Sequence, residues 1–117
     1  MSPVHQAVVM IQIVLASMFV LSSVIKFVRT ASMVRHWREY RYPMWLMSVI
    51  GMAELLGAVS MLAALWIPGI AKYAAALFII LMLGAVHAHL IRAKHKPIMA
   101  LNALLMLALS VILLGIG

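Results

Sequence analysis

The chain contains no cysteine, which excludes disulfides, thiol redox relays, thiolate metal sites and cysteine nucleophiles together. Acidic residues number two, against nine lysines and arginines, and charged residues of either sign make up only 9%. No long internal repeat and no low-complexity tract is present. With 68% hydrophobic residues in 117 and a mean hydropathy of +1.18, the chain cannot hide its apolar surface inside a soluble core of this size. An isoelectric point near 10.7 would suggest nucleic acid in a soluble protein. Here the positive charge is interleaved with apolar runs, so orientation and anionic inner-leaflet lipids account for it, and no nucleic-acid partner is expected.

The basic residues fall in two clusters. Lys26, Arg29, Arg35, Arg38 and Arg41 form one, Arg92, Lys94 and Lys96 the other, and Lys72 stands apart. Around them lie four apolar segments of about 20 residues, the length that crosses a bilayer. They cover residues 4–28, 43–66, 70–91 and 98–114 of a single domain, 1–117. Pro43 suits the first turn of the second segment, Pro68-Gly69 breaks the chain after it, and Pro97 precedes the fourth. The expected fold is an all-α membrane protein, a four-helix transmembrane bundle. The positive-inside rule puts both basic loops in the cytoplasm and both termini outside, in the cytoplasmic (inner) membrane. The first segment lacks a basic leader and carries its charge after the apolar run, unlike a cleavable signal.

In the loop 29–42, Met33, Val34, Trp37 and Tyr40 recur at helical spacing against Arg35, Arg38 and Arg41. That pattern predicts a short interfacial amphipathic helix that anchors orientation. Small residues, Gly51 to Gly57 with Ala53 and Ala58, and Ala74 to Ala76 with Gly84 and Ala85, read as faces where helices approach closely. The eleven methionines read as packing filler, although Met44 and Met47 sit as a pair near a helix start. No metal site is expected.

Polar groups inside the apolar runs carry the functional signal, because each is costly in lipid without a partner or a watery cavity. Lys26 lies on the first segment, Glu54 on the second, His87 on the third and Asn102 on the fourth, with Ser22, Ser23 and Ser48 nearby. At 1.5 Å per residue Glu54 falls about 16 Å beyond Pro43, His87 about 7 Å inside Arg92 and Asn102 about 7 Å inside Pro97. These depths predict a polar funnel open toward the cytoplasm or the inner leaflet and floored by Glu54. A direct Lys26–Glu54 pair would need the first helix to run past Arg29 or the second to be shifted along its axis. Otherwise water or a ligand bridges them, or Glu54 is protonated by desolvation. Each residue also has a structural reading: Lys26 snorkelling to the interface, Glu54 and His87 hydrogen-bonded within the bundle. His89, two residues on from His87, is expected to point elsewhere, so the pair does not make a bis-histidine haem site.

The ordered motifs Ser22-Ser-Val-Ile-Lys26-Phe27, Pro43, Gly51-Met-Ala-Glu54-Leu-Leu-Gly57 and Leu83-Gly-Ala-Val-His87-Ala-His89 resemble the DoxX-like family of small four-helix membrane proteins. The resemblance spans about Val14 to Leu114 and carries over Lys26, Glu54 and His87 as functional positions. The wider family includes a subunit associated with thiosulfate:quinone oxidoreduction, members linked to membrane oxidoreductase complexes and an animal branch that assists receptor-channel assembly. In a chain without cysteine the resemblance implies that any redox role uses a bound quinone or a partner's cofactor. The leading expectation is an accessory or binding subunit that holds a quinone-like or other amphipathic molecule and supports a membrane oxidoreductase or another membrane-protein partner. Ligand-binding or proton-transfer candidates are Lys26, Glu54, His87, Asn102, Ser23 and Ser48; no catalytic step is assigned. The alternatives are a small proton-coupled transporter, for which a homodimer would form the pathway, and a non-catalytic assembly factor.

Overall fold

The computed structural model describes residues 3–94 and 101–116, so Lys96, Pro97 and the first residues of the expected fourth segment lie outside it. Five α-helices follow in order: α1 Pro3–Val28, α2 Ala31–Tyr40, α3 Met44–Ala63, α4 Ile70–His87 and α5 Leu101–Ile116. A π-helical turn, Ala88–Arg92, extends α4. No strand occurs among the described residues.

The chain is an all-α membrane protein. Three helical stretches, Pro3–Val28, Met44–Ala63 and Ile70–Arg92, are long and apolar enough to cross a bilayer, while α5 is a shorter apolar helix. Only about a third or less of each spanning stretch is buried inside the protein. Large side chains such as Leu21, Leu56 and Ile80 are exposed on the outer faces. A soluble protein could not present that much contiguous apolar surface, whereas hydrocarbon solvates it and the helices satisfy their own backbones.

These three helices and α5 form a closed ring in which α1 packs on α3, α3 on α4, α4 on α5 and α5 back on α1. At its centre the Phe19 and Phe78 rings stack 3.7 Å apart between centroids, surrounded by Leu15, Met61, Met82, Met106 and Leu113. Phe78 reaches that position because Gly57 has no side chain: a Cβ there would collide with the Phe78 ring. Gly51 performs the same service for α1, since a Cβ would sit 3.3 Å from the Cβ of Lys26. Ser23 Oγ then donates 2.9 Å to the Gly51 carbonyl and locks α1 against α3.

This contact also defines a stagger. Gly51 lies eight residues, about 12 Å, into α3 from Pro43, whereas Lys26 is two residues, about 3 Å, from the end of α1. The first two turns of α3 therefore project beyond α1, and α2 folds onto them. Thr30 caps α2 by accepting from the Met33 N–H at 3.3 Å, and Trp37 Nε1 donates 2.9 Å to the Pro43 carbonyl. The amphipathic face expected at Met33, Val34, Trp37 and Tyr40 exists, and it is covered by Met47 and Ala88 of the bundle rather than by lipid.

Arg29, Arg41 and Lys94 have φ of 57°, 62° and 55°. All three stand at helix ends on the basic side of the molecule, where a left-handed residue is usually glycine. The left-handed cost of roughly 1–2 kcal/mol per residue is offset in part by cations facing the negative ends of helix dipoles.

Gly57→Ala should destabilise the protein by about 1–3 kcal/mol, because the inserted methyl displaces Phe78 from its stack. A Cβ at Gly84 meets nothing within 4 Å, so Gly84→Ala should be neutral or slightly stabilising. Thermal unfolding of the two variants in detergent checks the contrast, and equal melting temperatures would refute the Phe78 wedge.

Candidate functional site

Between the staggered helix ends lies a cavity of about 400 Å³, within the range of small-molecule sites, about 300–1,000 Å³. Its floor is Ser22, Lys26 and Glu54, and its roof is Met33, Trp37, Tyr40 and Tyr42. Leu46 and Ile50 of α3 and Ile80, Leu81 and Gly84 of α4 make one side wall. Ala85, Ala88 and His89 continue α4, and Asn102, Ala103 and Met106 line the α5 side.

At the floor Lys26 Nζ lies 2.7 Å from Glu54 Oε1, with the side chains 9% and 1% exposed. The same ammonium donates to Ser22 Oγ at 2.7 Å. The contact is direct although α1 stops at Val28, so the shifted α3 is the arrangement that brings the two side chains together. Side-chain direction completes it. Helical side chains lean toward their own N-terminus, and α1 and α3 run antiparallel, so Lys26 leans inward from the basic end while Glu54 leans back toward it. The other carboxylate oxygen, Glu54 Oε2, is buried with no hydrogen-bond partner among the described residues.

The roof is held by a second set of contacts. Tyr40 Oη lies 3.0 Å from His89 Nε2, and the His36 ring stands edge-on to His89 at 6.0 Å. Arg92 Nε donates 2.6 Å to the Tyr40 carbonyl and its Nη2 reaches the Arg41 carbonyl at 3.3 Å. Its guanidinium lies 4.3 Å over the Tyr42 ring. Arg92 thus satisfies the last carbonyls of α2 from the π-helical turn, a fork that lysine cannot reproduce. Burial, followed by the nearby Glu39 and Tyr42, pushes the Tyr40 phenol up from 10.0 to about 12, so at neutral pH it is a neutral hydroxyl facing His89.

Of the six candidates read from the sequence, Lys26, Glu54 and Asn102 border the cavity and the other three do not. Ser23 is spent on the Gly51 carbonyl. Ser48 accepts from the Arg29 guanidinium at 3.4 Å, near the surface. His87 is exposed on the face it shares with Ala76, Ile80 and Leu83, at the i, i+4, i+7, i+11 spacing of one helical stripe. His89 takes the cavity position instead, contrary to the expectation that it points elsewhere. The physical reason is helix phase: Ala71, Ala75, Phe78 and Met82 form the inward stripe, and it continues through Ala85 to His89. That stripe was the available signal. Trp37 and Tyr40, which sequence reasoning placed at the interface, and Tyr42, which it did not single out, are further lining residues.

Among the described residues no three His, Cys, Asp or Glu side chains gather as metal ligands. What the cavity offers is an apolar chamber with a charged floor and a phenol–imidazole pair near its roof. That arrangement suits binding of a molecule with one polar end.

Lys26→Met should cost about 3–5 kcal/mol, because it strands a carboxylate in an apolar interior. The double change Lys26→Met with Glu54→Leu should recover most of that loss. A double-mutant cycle by thermal unfolding in detergent decides it; additive losses would show that the pair is not coupled. The docking of α2 that depends on a protonated Tyr40 is complete below about pH 10 and is lost as pH rises toward about 12. The protection of α2 amides, taken as the exchange rate relative to the base-catalysed rate of an unfolded chain at the same pH, should fall across that window and stay level in Tyr40→Phe, which lacks the titration.

A protein of Bacillus subtilis (strain 168), the uncharacterized protein YdgD, is 39% identical over 106 residues, covering 91% of this chain and 93% of its own length. No solved structure matches significantly. The DoxX-like family profile matches residues 10–113, a stretch that holds the whole cavity, its ion-paired floor and its aromatic roof. The chain belongs to the DoxX-like family.

Proposed function

We propose that the protein is a binding subunit of the cytoplasmic (inner) membrane, with its basic end cytoplasmic, that holds an amphipathic small molecule of the quinone–quinol type, in its hydroxyl-bearing form, in the cavity at that end. The observation that carries this reading is Glu54 Oε2, a buried acceptor without a hydrogen-bond partner among the described residues, bordering a cavity of ligand size. An orphaned acceptor in an apolar interior costs about 1–3 kcal/mol or more, and a ligand donor would relieve it. Lys26 Nζ is already engaged by Glu54 and Ser22, which uses two of its three donors and leaves the third for a ligand oxygen. His89 and Tyr40 stand at the opposite end of the chamber, where they would meet a second polar group or relay a proton toward the basic loops.

The chain would bind and position such a molecule; a membrane oxidoreductase partner would carry out the electron transfer. The lipid surface on the basic side contributes through Arg35 and Arg38, which are exposed on α2 and would meet anionic head groups.

Protein purified in mild detergent should carry a stoichiometric small molecule, visible in native mass spectra and in the ultraviolet. Glu54→Gln should lose it. Ala103→Phe, which narrows the cavity from α5 and leaves the ion pair intact, should lose it too while melting near the wild-type temperature. Bare protein in all three cases would overturn the reading.

A further inference from the structure

The cavity has a roof that is shut and a side that is open. Trp37 and Tyr40 are 5% and 6% exposed, and the contacts of Arg92 and Pro43 hold them in place. On the side wall, Ile80 is 67% exposed and Gly84 is exposed as well, while Leu46 and Ile50 opposite are half-buried. Leu46, Ile50 and Gly57 repeat along one flank of α3, the flank on which Gly57 receives Phe78 of α4. The open side therefore lies between α3 and α4. A Cβ at Gly84 would meet nothing within 4 Å, so the wall is missing there. Gly84 is eight residues, about 12 Å, inside Arg92, at hydrocarbon depth. The opening faces lipid tails and not the aqueous side.

The charge at the floor restricts what can enter. Lys26 and Glu54 neutralise each other at 2.7 Å. A cationic head would compete with Lys26 for the carboxylate and leave an extra positive charge buried; an anionic head would face Glu54. Either uncompensated charge is expensive in an apolar interior. A neutral head that donates one hydrogen bond to Glu54 Oε2 leaves the floor balanced and every acceptor satisfied.

We propose, building on the reading of the cavity as a ligand site, that its occupant is a neutral hydroxyl-bearing amphiphile (an alcohol or phenol class) that enters sideways from the bilayer between α3 and α4. Its hydroxyl donates to Glu54 Oε2, and its apolar tail lies across Gly84 into the lipid.

Trp37 is a built-in reporter, because it lines the cavity while Trp45 and Trp66 are 64% and 80% exposed. With Trp45→Phe and Trp66→Phe in place, the protein in phosphatidylcholine vesicles is titrated with 4-dodecylphenol, its methyl ether 4-dodecylanisole, and dodecylammonium. The phenol should change Trp37 emission with an affinity tenfold or more above that of the ether and the cation. That preference should collapse in Glu54→Gln, and Gly84→Leu should slow association at least tenfold without lowering the melting temperature. Equal binding of phenol and ether, or tightest binding of the cation, would overturn the head-group assignment while leaving an amphiphile site standing. Unchanged association in Gly84→Leu would overturn the side portal. No response of Trp37 to any of the three would sink the ligand-site reading itself.

Discussion

The Lys26–Glu54 pair is the constraint around which the rest of the structure is arranged. Two opposite charges in an apolar bundle are tolerable only in contact, and contact demands a particular stagger of α1 against α3. Gly51 allows the backbones to come close enough, with only 3.3 Å between its would-be Cβ and the Lys26 Cβ. Ser23 fixes the register through the Gly51 carbonyl, and Ser22 takes a second ammonium hydrogen. Once that stagger is set, the end of α3 stands free beyond α1. An unpaired helix end at the membrane surface needs cover, and α2 supplies it.

The roof follows from the same geometry. The short connection through Arg29 and Thr30 returns the chain directly onto the projecting turns of α3, and Trp37 closes on the Pro43 carbonyl that begins them. From the other side, the π-helical turn Ala88–Arg92 brings Arg92 across to the last carbonyls of α2. The π turn shifts the helix phase from Ala88 onward, and from its end the long Arg92 side chain reaches the Tyr40 carbonyl. A cavity results because the charged floor and the aromatic roof are held apart by backbones that answer to different partners.

These relations mark what a linear reading can and cannot reach. The all-α membrane class is legible because hydropathy and helix length are local quantities. Lys26 and Glu54 are legible because an ionisable residue in an apolar run stands out wherever it lies. The amphipathic α2 is legible by its spacing, but what its apolar face covers is not, since lipid and protein are equally apolar partners. His87 and His89 show the limit most clearly: both interrupt the same run, and only the inward stripe from Ala71 to Met82 selects between them. Ser23 and Ser48 look alike in sequence because both are small hydroxyls near charge. One is absorbed by a neighbouring backbone carbonyl and the other by a surface arginine, and each outcome depends on a tertiary contact.

A stability argument alone does not account for the floor. Replacing a buried ion pair by apolar side chains of similar volume is commonly neutral or stabilising, and in a bilayer the apolar alternative needs no other change. Glu54 also adds a second oxygen without a hydrogen-bond partner among the described residues, beside a chamber bordered by Met106, Leu81 and Leu46. Packing could close that space with one larger residue at Ala85, Ala88 or Ala103. A bundle arranged only to hold itself together would close the chamber and drop the charge. One that keeps both, with lysine to make the carboxylate tolerable and glycine to leave a side of the chamber open, is what the proposed ligand site requires.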